Sequence, residues 1–423
     1  MRLSGTKTSS ISSGRGLGNL LWDLGGSRPS LDLRFAENKS LVDATTGASL
    51  VTFTRASSGT YVGSDGLIKT AATNEARFDH NPTTGESLGL LVEEQRTNLF
   101  LQSNGFDTTW ANTSSTEAAS AGTAPDGTNT AWLLTDNAAN SNHNIFQLIT
   151  WAPATYTFSV YAKYSTHQWI GVRIGGTFFG SWDIQNGAVG SATAGASISM
   201  KSLPNGWYRL VLTATVSTSF PSNLIISLNN ADATTLTTYT GTGTAVLLWG
   251  SQLEAGAFPT SYIPTTTATV TRSADVASIT GANFSSWYRQ DEGTVFAEAG
   301  SPGNNNTIAA LTDGSATNRI LLDHGNNSRR ILVTVSGVAQ ASVNVSYVYG
   351  VIAKSVGVYK LDNFQLCLSG TLGTPDTSGT VPTATQLNIG SNGLGQTQLG
   401  STIKRLTYWP ERLSNSTLQA LTQ

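Results

Sequence analysis

The stretch 155–163, Thr155-Tyr156-Thr157-Phe158-Ser159-Val160-Tyr161-Ala162-Lys163, decides the fold class because large apolar side chains recur at every second position. Successive side chains of a β-strand point to opposite faces, so the even-numbered residues from Tyr156 to Ala162 share one apolar face. Thr157, Ser159, Tyr161 and Lys163 share the other. The pattern predicts a half-buried strand that lies on a core through its even-numbered face.

Similar short apolar segments flank this strand on its C-terminal side, at Trp169–Ile174, 207–213, 224–228 and 245–249. Their spacing is typical of a jelly-roll sandwich. A second group follows at 293–299, 319–322, 330–335 and 356–359. The sequence therefore predicts an all-β protein with two β-sandwich (jelly-roll) domains in tandem, behind a small β connector and an extended N-terminal arm.

The composition agrees with this prediction. Only 12% of the 423 residues are charged and 43 are Gly, a mixture that disfavours helices and suits strands joined by tight turns. A hydrophobic content of 39% is sufficient to fill sandwich cores. Single cores stop growing beyond about 250 to 300 residues, so we expect more than one domain.

Several classes of function and partner are disfavoured. The 24 Lys and Arg against 26 Asp and Glu give a net charge of −2, and no basic stretch suggests nucleic acid as a partner. The four His, at positions 80, 143, 167 and 324, are isolated, so no zinc motif, metal site or cofactor is predicted. The single Cys367 lies in an apolar run and is expected to be a small core residue.

The cellular setting is inferred from apolar runs. No run approaches the length needed for a membrane span, and the N-terminal segment lacks the uninterrupted apolar stretch of a secretion signal. We therefore expect a protein made in a cytoplasm, with no membrane partner.

Composition shifts predict five segments. They are an N-terminal arm at 1–30, a small β connector at 31–98, a jelly roll at 99–264, a linker at 265–280 and a second sandwich at 281–423. In the connector, Asp65-Gly66 predicts a hairpin turn. The arm is rich in Ser and Gly except for Leu20, Leu21 and Trp22, which would contact a partner if the arm is an anchor. The alternative is a frayed terminus.

The passage at 77–100, RFDHNPTTGESLGLLVEEQRTNLF, is dense in charge for this chain. Four of its charged residues are interpreted as members of structural ion pairs in preference to a catalytic set: Arg77, Asp79, Glu93 and Arg96. The passage resembles a segment that recurs in phage virion proteins, where it precedes a β-sandwich, and the resemblance runs from about residue 55 to residue 98.

Two further resemblances concern the sandwiches. The segments 182–187, 203–209 and 249–254 resemble jelly rolls of the carbohydrate-binding-module type. The segments 387–390, 400–409 and 410–414 are similar to the end of laminin-G or concanavalin A-like sandwiches in phage proteins, where a short helix follows, capped here by Ser414.

These resemblances imply a non-enzymatic structural protein of the phage virion. It would be a tail fibre, a baseplate appendage, or a head fibre or capsid decoration that attaches to the host. Other virion proteins would be its partners, and by analogy with phage appendages it would form a homotrimer.

A lectin-like site would need an exposed aromatic ring and polar groups for sugar hydroxyls. Trp132, Trp182, Trp207 and Trp249 match core positions of the jelly-roll resemblance. In Trp169–Ile174, by contrast, the apolar face leaves Trp169 and Arg173 together on the opposite face.

This pair is the predicted carbohydrate-binding site for host-surface polysaccharide, although a contact with a neighbouring subunit or domain would explain it as well. His167 and Gln168 adjoin the pair in sequence. Phe179, which follows Phe178 in the next loop, would form a wall of the site.

Two rival functions remain. A glycan-degrading tail enzyme would need a carboxylate pair, drawn from candidates such as Asp183, Glu254, Glu298 and Asp323. A ligand-free structural spacer or capsid decoration would need no site. The Asn clusters at 304–306 and 326–327 are interpreted as turn residues, with a calcium or sugar site as the alternative.

Overall fold

The structure, a computed structural model, describes residues 20–394 and 397–423. Most of the predicted arm, residues 1–19, and the side chain of Leu20 lie outside the described residues. Where the chain is described, it is built from antiparallel strands and a few short helices, none of which is long and apolar enough to cross a bilayer. The helices are α1 Leu20–Gly25, α2 Phe35–Asn38, α3 Gly281–Ser285 and α4 Asn415–Thr422, with a 3-10 turn at Pro204–Gly206.

Residues 31–98 form seven short strands. They are β1 Leu31–Leu33, β2 Thr52–Thr54, β3 Gly59–Val62, β4 Ile68–Ala71, β5 Phe78–His80, β6 Ser87–Val92 and β7 Arg96–Asn98. Strands β3 and β4 form the predicted hairpin, and Gly66 in its turn has a φ of +77°, which glycine adopts without strain.

The jelly roll contains the next fourteen strands. They are β8 Ala111–Thr113, β9 Ser115–Gly122, β10 Ala131–Asp136, β11 Asn140–Ser141, β12 His143–Trp151, β13 Ala154–Tyr164, β14 Trp169–Ile174, β15 Phe178–Asp183, β16 Ala188–Ala192, β17 Ala196–Ser202, β18 Trp207–Val216, β19 Phe220–Asn229, β20 Tyr239–Thr240 and β21 Ala245–Ala255. One sheet has the order β17-β18-β13-β21-β10-β9 and the other β16-β15-β14-β19-β12-β8. Phe158, Val160, Ile170 and Trp182 lie in the core between them.

The strand that decided the fold class is buried on both faces, whereas its pattern predicted a half-buried strand. Its even-numbered residues face the jelly-roll core as expected. The opposite face, with Tyr161, packs in a second apolar cluster with Trp207 and Trp249, against Ile68 of the β3–β4 hairpin and Tyr262. A neighbouring segment of the chain thus covers a face that an isolated sandwich would leave in water.

The remaining strands belong to the linker and the C-terminal sandwich. They are β22 Val270–Arg272, β23 Val276–Thr280, β24 Glu292–Ala299, β25 Thr307–Thr312, β26 Arg319–Gly325, β27 Ser328–Val335, β28 Val338–Ser346, β29 Ala353–Lys360, β30 Gln365–Leu368, β31 Thr371–Leu372, β32 Gln386–Ile389 and β33 Ser401–Trp409. One sheet has the order β31-β30-β29-β24-β33-β6-β5, with β1 also on β33. The other has the order β2-β23-β32-β25-β26-β27-β28.

The C-terminal sandwich therefore includes β1, β2, β5 and β6, although the sequence placed these strands in a separate connector. Leu31, Phe53 and Val92 lie in the same buried cluster as Ile320 and Leu406. The reason is that three- to six-residue strands cannot enclose a core of their own, so they extend the edges of larger sheets. Strand β23 of the predicted linker likewise belongs to the second sheet.

Helix α4 covers the outer face of the eight-stranded sheet. Its N-cap is Ser414, as predicted, whose hydroxyl accepts a hydrogen bond from Thr417 N at 3.2 Å. The helix closes a small core that contains Leu421, Trp409 and Cys367, and the predicted burial of Cys367 is confirmed.

Two residues of the proposed virion anchor pack on the same sandwich. Leu21 is buried in the small core beneath α4. The Trp22 indole N–H donates to Asp32 at 2.8 Å, and the guanidinium groups of Arg28 and Arg34 each lie 5.0 Å from the ring centre. Leu21 completes an apolar cluster within its own chain, which corrects the expectation that it reaches a partner, and Trp22 is engaged there by its hydrogen bond and the two guanidinium groups.

A buried network of ion pairs joins the N-terminal strands to the segment between the two sandwiches. Arg77 Nη1 donates to Glu93 at 2.7 Å, and Arg55 Nη1 donates to Asp275 at 3.1 Å. Arg272 Nη1 lies 3.1 Å from Glu93, and Arg77 also pairs with Asp275. Burial alone would raise the pKa of Glu93, but Arg272 and Arg77 outweigh it and lower that pKa to about 2.

The predicted ion pairs are confirmed for three of the four charged residues of the 77–100 passage. Arg77 pairs with Glu93 inside the network, and Arg96 pairs with Glu94. Asp79 forms no ion pair in the described part of the chain. Its Oδ1 accepts a hydrogen bond from Val62 N at 2.6 Å instead.

Candidate functional site

One outer face of the jelly roll is covered by another segment, and the other carries a few exposed or half-buried side chains. The β17-β18-β13-β21-β10-β9 sheet is covered by the β3–β4 hairpin. The outer face of the second sheet carries Leu148, which is 68% exposed, and the half-buried Trp169 and Arg173. These side chains are the ones on this sheet that a ligand could reach.

Strand β14 places Trp169, Gly171 and Arg173 in a column on that outer face, while Ile170, Val172 and Ile174 are fully buried in the core. The predicted division of this strand into two faces is confirmed. Trp169 and Arg173 are four residues apart, about 13 Å along an extended strand.

The neighbouring strands β15 and β19 each place three residues beside this column. On β15, Asp183, Ser181 and Phe179 lie opposite Trp169, Gly171 and Arg173. On β19, the corresponding residues are Asn229, Ser227 and Ile225. We call these nine residues the outer-face grid.

Gly171 at the centre of the grid is required by the ring of Phe179. A Cβ at this position would lie 2.3 Å from Phe179 Cζ and within 3 Å of Ser227 Oγ and Asn229 Nδ2. The ring therefore occupies the space that a side chain at position 171 would fill. Phe179 is only 1% exposed, so it cannot offer a stacking surface, and its expected role as a wall of the site is incorrect.

Trp169 is held by its contact with strand β16. A Cβ on Gly190 would lie 2.9 Å from Trp169 Cζ3, so the indole edge rests on backbone. The indole N–H has no hydrogen-bond partner among residues 20–394 and 397–423. Trp169 thus combines a fixed, half-buried ring with a free donor, which is the arrangement that sugar recognition uses.

Arg173 carries a charge that nothing in the described chain balances. It forms no hydrogen bond or ion pair there, and its Nε is buried without a partner. Desolvation by the surrounding side chains lowers its pKa. A partly buried guanidinium with unused donors is an incomplete interaction, and a carboxylate or several hydroxyl groups of a ligand would complete it.

The two residues that precede Trp169 have structural partners. His167 is 7% exposed, and its Nδ1 and Nε2 contact Thr244 Oγ1 at 2.8 Å and Asn229 O at 2.9 Å. Gln168 donates to Asp183 Oδ2 at 2.7 Å. His167 therefore cannot reach a ligand, because its ring is enclosed, whereas Gln168 orients the loop beside Trp169.

The four carboxylates considered for hydrolysis are separated. Asp183 accepts hydrogen bonds from the β15–β16 turn, and Glu254, fully buried on the other sheet of the jelly roll, accepts from Thr260 N at 3.0 Å. Asp323 makes a two-pronged pair with Arg330, at 2.9 and 2.7 Å. Glu298 lies on the opposite sheet of the C-terminal sandwich, 3.9 Å from Lys404.

The remaining tryptophans are packing residues, as predicted. Trp182, Trp207 and Trp249 are fully buried, and Trp132 packs against the jelly-roll core. Asn305 and Asn327 have positive φ angles of 59° and 49°, which suits the predicted turns.

Sequence reasoning missed Gly171, Gly190 and Asn229, which shape the grid. The Asn229 Nδ2 group is buried beside Gly171 with no hydrogen-bond partner. No sequence signal identifies these residues, because their role depends on the pairing of β14 with β15 and β19 and not on their immediate neighbours in the chain.

No protein family matches the chain, and no curated protein matches it. Among solved structures, the chain is similar to domain 4 of a GH43 extracellular arabinanase from Geobacillus stearothermophilus, with 9% identity over 40% of this chain and 84% of that one and a TM-score of 0.29. It is also similar to domains LG4-5 of the mouse laminin α1 chain, with 11% identity, coverage of 65% and 89%, and a TM-score of 0.24.

A third similarity is to the tandem CBM22 domains of a Paenibacillus barcinonensis protein, with 10% identity, coverage of 75% and 97%, and a TM-score of 0.24. All three are β-sandwich proteins by fold. At these scores the similarities carry no argument about what this chain binds.

Proposed function

We propose that this chain is a non-enzymatic structural protein of a phage particle whose jelly roll binds a host-surface glycan through Trp169 and Arg173. The observation that carries the proposal is that Trp169 and Arg173 are half-buried on the outer face of the second sheet, where the other seven grid residues are buried, and that both have donors that the described chain leaves unused. A buried donor without a partner costs free energy, and a ligand that supplies the acceptor would remove that cost.

The geometry favours an oligosaccharide over a single sugar. The distance of about 13 Å between the two residues along β14 exceeds the length of one pyranose ring. A sugar unit stacked on Trp169 and a second unit near Arg173 would therefore belong to one oligosaccharide. The unpaired guanidinium further favours an acidic sugar, because a carboxylate accepts two parallel hydrogen bonds from Arg.

The phage setting rests on the resemblance of residues 55–98 to a segment of virion proteins. In this chain the charged residues of that segment form the buried network that joins both sandwiches, a role suited to a rigid appendage. Attachment to the particle, a trimeric assembly and location in the virion are parts of this proposal. A trimer would present three copies of the grid and strengthen weak sugar binding by multivalency.

The absence of catalysis is also part of the proposal. Its support is that Asp183, Glu254 and Asp323 each accept hydrogen bonds from neighbouring groups, and that the four candidate carboxylates lie on four different sheets. A glycosidase needs two carboxylates about 5 to 10 Å apart across one bond. New reducing ends after incubation with host capsule would contradict this part.

The experiment that tests the proposal is binding of the full chain to intact host cells and to their extracted surface polysaccharide. We expect Trp169→Ala to weaken binding on the order of thirtyfold, the cost of removing a central aromatic contact of about 2 kcal/mol. Trp169→Phe should retain much of the affinity, because a ring remains for stacking.

Leu148→Ala is the matched control, since Leu148 is exposed on the same face but lies outside the grid. Its binding should equal that of the unmodified chain. Equal binding by Trp169→Ala would exclude the grid as the site. A folded protein that binds no host polysaccharide would favour a ligand-free spacer.

A further inference from the structure

A cavity lies where the two sandwiches meet the N-terminal strands. Its volume is about 340 Å³, within the range of small-molecule sites. The β3–β4 hairpin region, the jelly roll and the C-terminal sandwich each contribute to its wall. We call it the junction cavity, and its principal polar and aromatic lining residues are Tyr61, Asp79, Tyr161, Lys201, Arg209 and Thr402.

Asp79 supplies an acceptor to this cavity. Its Oδ1 accepts from Val62 N at 2.6 Å, and its Oδ2 has no partner in the part of the chain that the structure describes. Burial raises the pKa of this carboxyl group. The residue belongs to the passage that resembles virion proteins, yet it takes no part in the ionic network that occupies Arg77 and Glu93.

Lys201, on strand β17 of the jelly roll, supplies a donor to the same cavity. It is an exposed residue at the rim of the cavity, and it forms no hydrogen bond or salt bridge with the described residues. Desolvation lowers the pKa of its ammonium group, attraction to Asp79 acts in the other direction, and Arg209 lowers it further. Asp79 and Lys201 thus face one space without meeting as an ion pair.

The other charged groups of the cavity are already engaged. Glu93 accepts from Arg77 and from Ser261 N, each at 2.7 Å. Arg209 donates to Ser159 Oγ at 2.9 Å and to Thr260 O at 2.7 Å. The groups left for a ligand are therefore one carboxylate oxygen and one ammonium, whose charges cancel.

Tyr61 adds an aromatic surface. It is half-buried in the wall, and its hydroxyl has no hydrogen-bond partner among the described residues. An aromatic face, a carboxylate and an ammonium around a small volume are the groups that hold a sugar ring, because hydroxyls donate to the carboxylate and accept from the ammonium.

We propose that the junction cavity is a second binding site, for a single neutral saccharide unit of hexose size. Asp79 accepts from the sugar hydroxyls, Lys201 donates to a hydroxyl or to the ring oxygen, and Tyr61 packs against the ring. Because the charges of Asp79 and Lys201 cancel, an ionic ligand is disfavoured. The cavity volume of about 340 Å³ disfavours the internal units of a polysaccharide chain. This site is independent of the outer-face grid and differs from it in ligand size and charge.

The test uses the full chain and saturation-transfer NMR titrations with glucose, galactose, mannose and N-acetylglucosamine. We expect at least one of these sugars to bind the unmodified chain. Asp79→Asn and Lys201→Met should each weaken that binding about tenfold or more, because each removes a charged hydrogen-bonding partner. Asp313→Asn, which changes an exposed carboxylate outside the cavity, should leave it unchanged.

Trp169→Ala separates this site from the grid. Monosaccharide binding that survives in Trp169→Ala and falls in Lys201→Met supports the junction cavity, whether or not polysaccharide binding is found. Thermal unfolding verifies that each variant is folded, and Lys201→Met, at an exposed position, decides the outcome if Asp79→Asn is unstable. The inference is overturned if the folded chain binds none of the four sugars, or if Lys201→Met binds as tightly as the unmodified chain.

Discussion

Arg77 and Asp275 form a fully buried ion pair although 198 positions separate them in the sequence. Asp275 also pairs with Arg55, and Arg77 also pairs with Glu93. Arg272 completes the network beside Glu93. The charges of the N-terminal strands are thus neutralised by the segment that connects the two sandwiches, and the network holds these regions together in the folded chain.

The buried network predicts that the single substitution Glu93→Gln lowers the free energy of unfolding strongly. Glu93→Gln leaves Arg77 and Arg272 in the interior with one carboxylate fewer, and breaking a buried pair in this way costs about 3 to 5 kcal/mol. Urea unfolding of the full chain measures this loss. Glu94→Gln is the matched control, because the Glu94 side chain is 31% exposed and its pair with Arg96 should contribute less than about 1 kcal/mol.

The lowered pKa of Glu93 predicts that the free energy of unfolding depends on pH. The pKa of Glu93 falls from an ordinary value of 4.5 to about 2 in the folded chain. Because the folded-state pKa is the lower one, the stabilisation is complete above pH 4.5 and is lost as the pH falls from 4.5 toward 2, by about 3 kcal/mol.

Unfolding free energies of the unmodified chain and of Glu93→Gln, measured between pH 7 and pH 2.5, test this expectation. The difference between the two should shrink on the acidic side of this window. A constant difference across the range would mean that the stabilisation does not depend on ionised Glu93.

The sequence predicted the all-β class, the two faces of Trp169–Ile174 and the hairpin at Gly66, because each depends on alternation or on a local backbone requirement. It failed where long-range pairing decides the outcome. Tyr161 looked solvent-facing from its position in an alternating strand, but the β3–β4 hairpin covers it. Phe179 looked available from its place in a loop, but the missing side chain of Gly171 lets its ring sink into the sheet.

The substitution Arg173→Met should have opposite effects on the free energy of unfolding and on polysaccharide binding. Its guanidinium is partly desolvated and unpaired, so Arg173→Met should leave the free energy of unfolding unchanged or raise it by about 1 kcal/mol. The same variant should weaken binding to an acidic polysaccharide, and added salt should then have less effect on the remaining affinity.

Arg209→Met is the comparison for Arg173→Met. Arg209 is hydrogen-bonded and lies 5.5 Å from the Tyr161 ring centre, so its loss should destabilise the chain by about 1 to 3 kcal/mol. If Arg173→Met destabilised the chain equally, Arg173 would be a packing residue and not a reserved donor.

The strand order predicts that residues 281–423 do not fold alone. Without β1, β5 and β6 the eight-stranded sheet loses one side of β33, and the core loses Leu31 and Val92. Circular dichroism and size-exclusion chromatography of this fragment should show an aggregated or unfolded chain. Cooperative unfolding of a monomeric fragment would show that the N-terminal strands are dispensable.

Strand β33, at Ser401–Trp409, has a consequence for synthesis on the ribosome. Strands β1 and β6 precede the jelly roll and pair with this strand, which is made after it, whereas β8 to β21 of the jelly roll pair among themselves. The jelly roll can therefore form while translation continues, but β1 and β6 cannot pair until β33 has been made. Because these pairings join residues far apart in the sequence, we expect closure of the eight-stranded sheet to be a slow and late folding step.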